Sequence, residues 1–359
     1  MNLLIKPTSS LCNIECEYCF YLDECNNRKI KSYGMMTDET LELTVKKALM
    51  NADGSAVFAF QGGEPTLIGI DFYKRLLEFE EKYNTKNVKI INTIQTNGVL
   101  IDGEWATFLS DNHFLVGLSL DGTREAHNKY RKDKNGKGTW DKALKAAELL
   151  QSAGAEYNVL CVITSANAKN GELVYNTLKK HKYLQFIPCI DGFDNKKRAY
   201  SLSINKYAEF LCAVFPLYYR DLLNGIEISI RLFDNYIDIL RGKAPEMCGL
   251  SGKCACYGVI EADGSVYPCD FYATDEWRLG NVNEDGFSAL FASDTAKRFI
   301  LSSYEKSDDC KNCQYRALCG GGCRREREEQ TQKYRYCESI KAFLDKNYKL
   351  LYDLAVRYK

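Results

Sequence analysis

Apolar residues along the first half of the chain fall into two alternating patterns. Short, nearly continuous apolar runs occur at 3–5, 57–60, 88–94, 114–120, 157–163 and 183–190, and each reads as a buried strand. Helical spacing separates them. Thr37 is placed as an N-cap ahead of Leu41, Val45 and Leu49 on one helical face. Further helices are expected at 72–83, 104–109, 140–153 and 172–180. Apolar strands alternating with amphipathic helices predict a parallel sheet covered by helices. Roughly six βα units fall short of the eight in a closed barrel. The expected fold is α/β, a partial (β/α)6 TIM-type barrel, with an open doubly wound sheet as the alternative, because pattern does not carry strand order.

After a helix at 206–223 the pattern loosens. Val259-Ile260 and Val266-Tyr267 flank Asp263-Gly264 and predict a hairpin over 257–267. Loops rich in Cys and Gly follow, then a helical tail at 339–358. The opening MNLLIKPTSS has no apolar core or small-residue cleavage site, and no run of about 18 apolar residues occurs. A cytoplasmic protein with no membrane partner is expected. Lys+Arg and Asp+Glu number 48 each, so charge gives no support for nucleic-acid binding either. The short runs Lys196-Lys197-Arg198 and Arg324-Arg325-Glu326-Arg327 read as solvated surface.

The cysteines change the picture. There are 16, against 3 His, with seven before residue 248 and nine from it onward. Disulfides rarely persist in a reducing compartment, so metal binding becomes the leading reading. The composition therefore changes near Cys248, and two domains are expected, a partial barrel over 1–235 and a cysteine-rich domain with a C-terminal helix over 236–359.

Cys12, Cys16 and Cys19 form C-x3-C-x2-C directly after the first strand. Three thiolates without a nearby His leave zinc a ligand short. On a cubane cluster the same three leave one iron open to a substrate or cofactor. The interleaved Asn13, Glu15 and Glu17 argue against three cysteines buried as small hydrophobes.

Cys12-Asn13-Ile14-Glu15-Cys16-Glu17-Tyr18-Cys19 resembles the signature of radical S-adenosylmethionine (SAM) enzymes, including the aromatic Tyr18 before the third cysteine. Gly62-Gly63-Glu64-Pro65, Gln95-Thr96-Asn97-Gly98 and Ser119-Leu120-Asp121-Gly122 follow in the family's order, each at the end of a strand. Singly, each is a turn; together behind the cysteines they are specific. The resemblance implies a SAM-binding 4Fe-4S cluster on Cys12, Cys16 and Cys19. It also implies SAM contacts from Tyr18, Gly63, Ser119, Arg131 and Ile190. A hydroxyl at Ser119 suits a ribose or carboxylate oxygen, and Arg131 suits the SAM carboxylate.

Further along, Cys248-x5-Cys254-x14-Cys269 precedes Cys310-x2-Cys313-x5-Cys319-x3-Cys323-x13-Cys337. Eight cysteines suffice for two four-thiolate sites, and spacing alone allows zinc as readily as iron–sulfur. The array resembles the loop-rich SPASM extension of peptide-modifying radical SAM enzymes, which carries two auxiliary 4Fe-4S clusters. That resemblance assigns Cys248, Cys254, Cys269 and Cys323 to one, and Cys310, Cys313, Cys319 and Cys337 to the other. Of the five cysteines left, Cys161, Cys189 and Cys212 read as core, while Cys25, in a polar loop, and Cys256 have no assigned role.

Segments such as 4–10, 19–21, 58–67 and above all Val266-Tyr267-Pro268-Cys269-Asp270-Phe271-Tyr272 resemble the anaerobic sulfatase-maturating enzymes. The implied reaction is radical oxidation of a Cys or Ser side chain in a sulfatase motif to Cα-formylglycine, with Asp270 as the general base. The implied partners are an unfolded sulfatase polypeptide and an electron donor such as flavodoxin or ferredoxin. A radical SAM enzyme that installs thioether or carbon–carbon crosslinks in a precursor peptide is the alternative. Its members often carry an N-terminal leader-recognition domain, for which a first strand at Leu3 leaves no room. A zinc-stabilised binding protein is the non-enzymatic alternative.

Overall fold

The computed structural model describes residues 1–358, which divide into two compact units interleaved along the chain. One comprises Met1–Ser119, Arg131–Tyr157 and Ala255–Phe299. The other comprises Leu120–Tyr130, Asn158–Cys254 and the segment from Ile300 onward. Residues 255–299 thus group with the N-terminal segments.

The first unit is built around β1 (Asn2–Ile5), whose Leu3 and Ile5 are buried. On one side β1 pairs in parallel with β2 (Ser55–Phe60), followed by β3 (Lys89–Thr96) and β4 (Leu115–Ser119), also parallel. On the other side β5 (Val259–Ile260) lies parallel to β1, with Leu4 opposite Val259. The antiparallel strands β6 (Ser265–Tyr267) and β7 (Gly280–Asn281) complete that edge. The expected hairpin is present. Gly264 turns it at φ +84°, where an added Cβ would meet Asn281 Oδ1 at 2.7 Å.

The first unit also carries α1 (Phe20–Asn26), which contributes to the site, α2 (Asp38–Asn51) and α3 (Ile70–Tyr83). Thr37 caps α2 as expected, its Oγ1 accepting the Thr40 N–H at 3.2 Å. α1 falls where the sequence predicts a loop. It has seven residues and no side-chain cap, too short for helical periodicity to register. Strand and helix ends otherwise lie within a few residues of those expected, as fraying ends usually do.

The second unit carries the parallel strands Tyr183–Pro188 and Ser229–Ile230 and, from its second residue onward, Tyr157–Ile163. The expected tail helix, Cys337–Arg357, sets Phe343 against Phe233 and Phe215, each with ring centroids 5.4 Å away. Phe233 belongs to Arg231–Leu240, a helix that the loosened pattern does not reveal. Among the described residues no helix is long and apolar enough to cross a membrane.

One buried acid gives this fold a pH signature. The Asn92 amide on β3 donates to Glu80 Oε2 of α3 at 3.0 Å, and Glu80 Oε1 and Asn92 Oδ1 remain buried acceptors without a partner among the described residues. Burial pushes the Glu80 carboxyl up from 4.5 to about 7, so a proton there supplies the missing donor. Between those values the folded chain keeps the proton and the unfolded chain has lost it. Stability should fall as pH rises through this window, by up to about 3 kcal/mol. Glu80→Gln should flatten the slope and stabilise the chain near pH 8 by about 1–3 kcal/mol. Urea denaturation at both ends of the window checks this; an unchanged slope would contradict it.

Candidate active site

The first cysteine loop leaves the C-terminal end of β1 and is tied down on three sides. Ile14–Cys16 pairs antiparallel with Arg131–Asp133, setting Cys16 opposite Arg131. Arg131 is buried and donates to the Tyr18 hydroxyl oxygen at 3.0 Å. Cys19 begins α1 as its N-cap. Burial pushes the Cys12 thiol up to about 11 and raises Cys19 as well.

The glycine turn after β2 meets the same loop. At Gly63, φ is +56°, and an added Cβ would stand 2.2 Å from the Leu11 carbonyl oxygen. Only glycine permits that approach. The next residue, Glu64, donates its N–H to Leu11 O at 2.8 Å. Its buried carboxylate accepts from Thr66 N and Oγ1, from Thr96 Oγ1 at 2.7 Å and from Asn97 N at 2.8 Å. Asn97 Nδ2 in turn donates to Asn13 Oδ1 at 2.7 Å and lies 3.8 Å from Cys12 Sγ. One carboxylate thus joins the ends of β2 and β3 to the cysteine loop. Ser119, at the end of β4, accepts from Gln95 Nε2 at 3.2 Å. Ile190 belongs to the second unit, half-buried two residues past the strand Tyr183–Pro188.

Asp270 lies in a buried polar cluster. Tyr21 Oη donates to Asp270 Oδ2 at 2.8 Å and Gln61 Nε2 does so at 3.2 Å. Its backbone N–H donates to Tyr257 Oη at 2.8 Å, and that hydroxyl reaches Cys269 Sγ at 3.5 Å. Asp270 Oδ1 is buried with no hydrogen-bond partner among the described residues. Lys6, 1% exposed, pairs with Glu261 at 2.7 Å and Glu24 at 3.7 Å. Arg28 also pairs with Glu261.

Two cations face three carboxylates here, so neutrality needs one retained proton. Burial pushes Glu24 up to about 8 and Asp270 up to about 6. Burial works to raise Glu261 as well, but Lys6 and Arg28 overcome it and hold that carboxyl below its ordinary value. Burial thus raises both Glu24 and Asp270, and Lys6 opposes the rise in each.

Lys6, Tyr21, Glu24, Arg28, Gln61 and Glu261 are site residues that sequence reasoning does not single out. For two of them a signal exists: Lys6 closes an apolar strand and Glu261 follows another, both unusual places for charge. Tyr21 and Glu24 depend on α1, and so are not legible.

Seven of the C-terminal cysteines, Cys248, Cys254, Cys310, Cys313, Cys319, Cys323 and Cys337, lie in the second unit. Cys310, Cys313, Cys319 and Cys337 line one small cavity that opens to solvent. Burial and the other three thiols push Cys319 up to about 11. Burial likewise pushes Cys323 up to about 12, with Glu326, Cys248 and Cys254 adding to it. A Cβ on Gly249 would stand 3.5 Å from the Cys323 backbone nitrogen. Cys248 and Cys254 are thus among the neighbours of Cys323. Cys269 lies in the first unit.

No three His, Cys, Asp or Glu side chains converge among the described residues as one bare ion requires. Four thiols standing around a cavity fit a multi-iron cluster, whose ligands bind separate irons. The free cysteines Cys161 and Cys189 are buried as expected, but Cys212 is only half-buried. Cys25, expected in a polar loop, is buried in α1.

Residues 7–171 match the model of the radical SAM superfamily, and residues 252–314 match SPASM, an iron–sulfur cluster-binding domain. The chain is 47% identical to a cysteine-type anaerobic sulfatase-maturating enzyme of Clostridium novyi, across 97% of this chain and 95% of that one. Native anSMEcpe with bound AdoMet superposes with a TM-score of 0.94 at 48% identity, covering 98% of both chains. The same protein with AdoMet and the Cp18Cys peptide also gives 0.94, at 47% identity, covering 99% of both.

The ion cluster makes a stability prediction. Lys6→Met fills a similar volume but leaves buried carboxylates short of a cation. It should cost about 3–5 kcal/mol in denaturant unfolding under anaerobic conditions. A loss below about 1 kcal/mol, the size expected of an exposed pair, would contradict the reading.

Proposed function

Because the chain belongs to the radical SAM superfamily and, within it, to the anaerobic sulfatase-maturating enzymes, we propose that it oxidises a cysteine side chain in an unfolded sulfatase segment to Cα-formylglycine. A cysteine rather than a serine follows the cysteine-type relative. The cofactors are SAM and three 4Fe-4S clusters. When bound, SAM and a reduced cluster would supply the radical chemistry that activates the substrate Cβ–H bond.

The chain's own residues do the rest. Cys12, Cys16 and Cys19 hold the cluster that faces SAM, while Tyr18, Gly63, Ser119, Arg131 and Ile190 contact SAM itself. Cys248, Cys254, Cys269 and Cys323 hold one auxiliary cluster, and Cys310, Cys313, Cys319 and Cys337 the other. Asp270 accepts the substrate thiol proton through Oδ1. The unpartnered state of that buried oxygen is the observation that carries the assignment. Tyr21 and Gln61 occupy Oδ2, which orients the carboxylate so that Oδ1 is the oxygen left to react. Lys6 favours the ionised form. An extended substrate is required, since its Cβ must approach the radical closely.

Reducing equivalents come from a flavodoxin or ferredoxin in the cytoplasm, a compartment in which sixteen unpaired cysteines persist.

Anaerobic incubation with SAM, a reductant and a Cys-containing sulfatase peptide tests the reading. By mass spectrometry the product should have lost the elements of hydrogen sulfide and gained one oxygen. A crosslinked peptide would favour precursor-peptide modification instead. With Asp270→Asn, SAM cleavage should continue while formylglycine falls by at least about 100-fold, the scale of general-base catalysis. Undiminished product in that variant would remove Asp270 as the base.

A further inference from the structure

The run 324–327, expected on the solvated surface, instead places a cation inside the cysteine loops. Arg327 donates to the carbonyl oxygens of Ser303 at 2.7 Å, Glu305 at 2.9 Å, Gly322 at 3.0 Å and Gly321 at 3.2 Å. Gly321 and Gly322 lie on the short link between Cys319 and Cys323, where the chain passes from one cysteine set to the other.

Lys306 lines the cavity of Cys310, Cys313, Cys319 and Cys337. Its ammonium donates to the Gly252 carbonyl and, at 3.4 Å, to that of Ser303. Gly252 stands two residues before Cys254, whose N–H is accepted by Ser303 Oγ at 2.9 Å. Each cation therefore touches loops of both cysteine sets. The contacts of both are to backbone carbonyls, and neither pairs with a carboxylate among the described residues.

Such an arrangement is costly by itself. Burial and the adjacent Arg327 guanidinium both act to lower the Lys306 pKa, and Cys310 and Cys254 act against them. Two neighbouring cations without an acid are stable where anions face them. Thiolate-bound iron–sulfur clusters are such anions, and they gain a further negative charge on reduction. Net charge and hydrogen bonding around a cluster are main determinants of its potential.

We propose that Lys306 and Arg327 form an electrostatic bridge between the two C-terminal cysteine sets and hold up the reduction potentials of the clusters bound there. The effect is to make those clusters better acceptors of the electron released during substrate oxidation. The inference rests on reading these cysteines as iron–sulfur ligands.

The test uses the full chain, reconstituted anaerobically, with iron analysis and redox titration followed by electron paramagnetic resonance. The parent should hold about twelve iron; far less would overturn the ligand reading, and the bridge with it. Lys306→Gln keeps a side-chain donor but removes the charge. It should retain that iron and make one-electron reduction of a C-terminal cluster about tenfold less favourable, a shift of about −59 mV. Its SAM-site signal should not move. Lys306→Arg should restore the parent potential. Arg327→Gln, an independent removal of charge, should shift the same way. Unshifted potentials in iron-replete Gln variants would overturn the proposal. So would loss of iron from both, which would make the two residues scaffolding.

Discussion

The buried pairing of Lys6 with Glu261 is the constraint around which the first unit is organised. Lys6 follows β1 and Glu261 follows β5, so their contact sits where two parallel neighbours end. An ammonium with almost no solvent access demands carboxylates, and the fold supplies Glu261, Glu24 and Asp270. Arg28 also pairs with Glu261, while burial raises Glu24 and Asp270. Lys6 favours the ionised form of Asp270, one of whose oxygens is unpartnered among the described residues.

A second carboxylate has a different duty. Glu64 pairs with no cation among the described residues; it is satisfied by hydrogen bonds from Thr66, Thr96 and Asn97. Burial raises its pKa and those donors lower it, so its role is to fix geometry. Through it the glycine turn, the end of β3 and the loop of Cys12 are tied together by hydrogen bonds. The two acids differ in what their oxygens are free to do. Glu64 has its oxygens fully used, whereas Asp270 has one to spare.

In the second unit the cysteine cage is closed by cations instead. Arg327 and Lys306 bond to carbonyls that belong to loops, not to regular elements. Loops so rich in glycine have little packing of their own, and these contacts hold them in a defined arrangement.

From sequence alone, the alternation of apolar runs and amphipathic helices determined the α/β class, because burial periodicity is local. The cysteine spacings and the glycine turns marked the candidate site residues, since most of those motifs are short and local. Asp270 could be named because it adjoins Cys269. The tertiary structure decided everything that depends on long-range contact. It placed β5 against β1, so that residues 255–299 sit with the N-terminal strands. It formed α1, which brings Tyr21 and Glu24 to Asp270, and it turned the Arg327 side chain inward. Neither periodicity nor motif encodes which distant charges become neighbours. That choice is made when the chain buries them together and each must find its counter-charge.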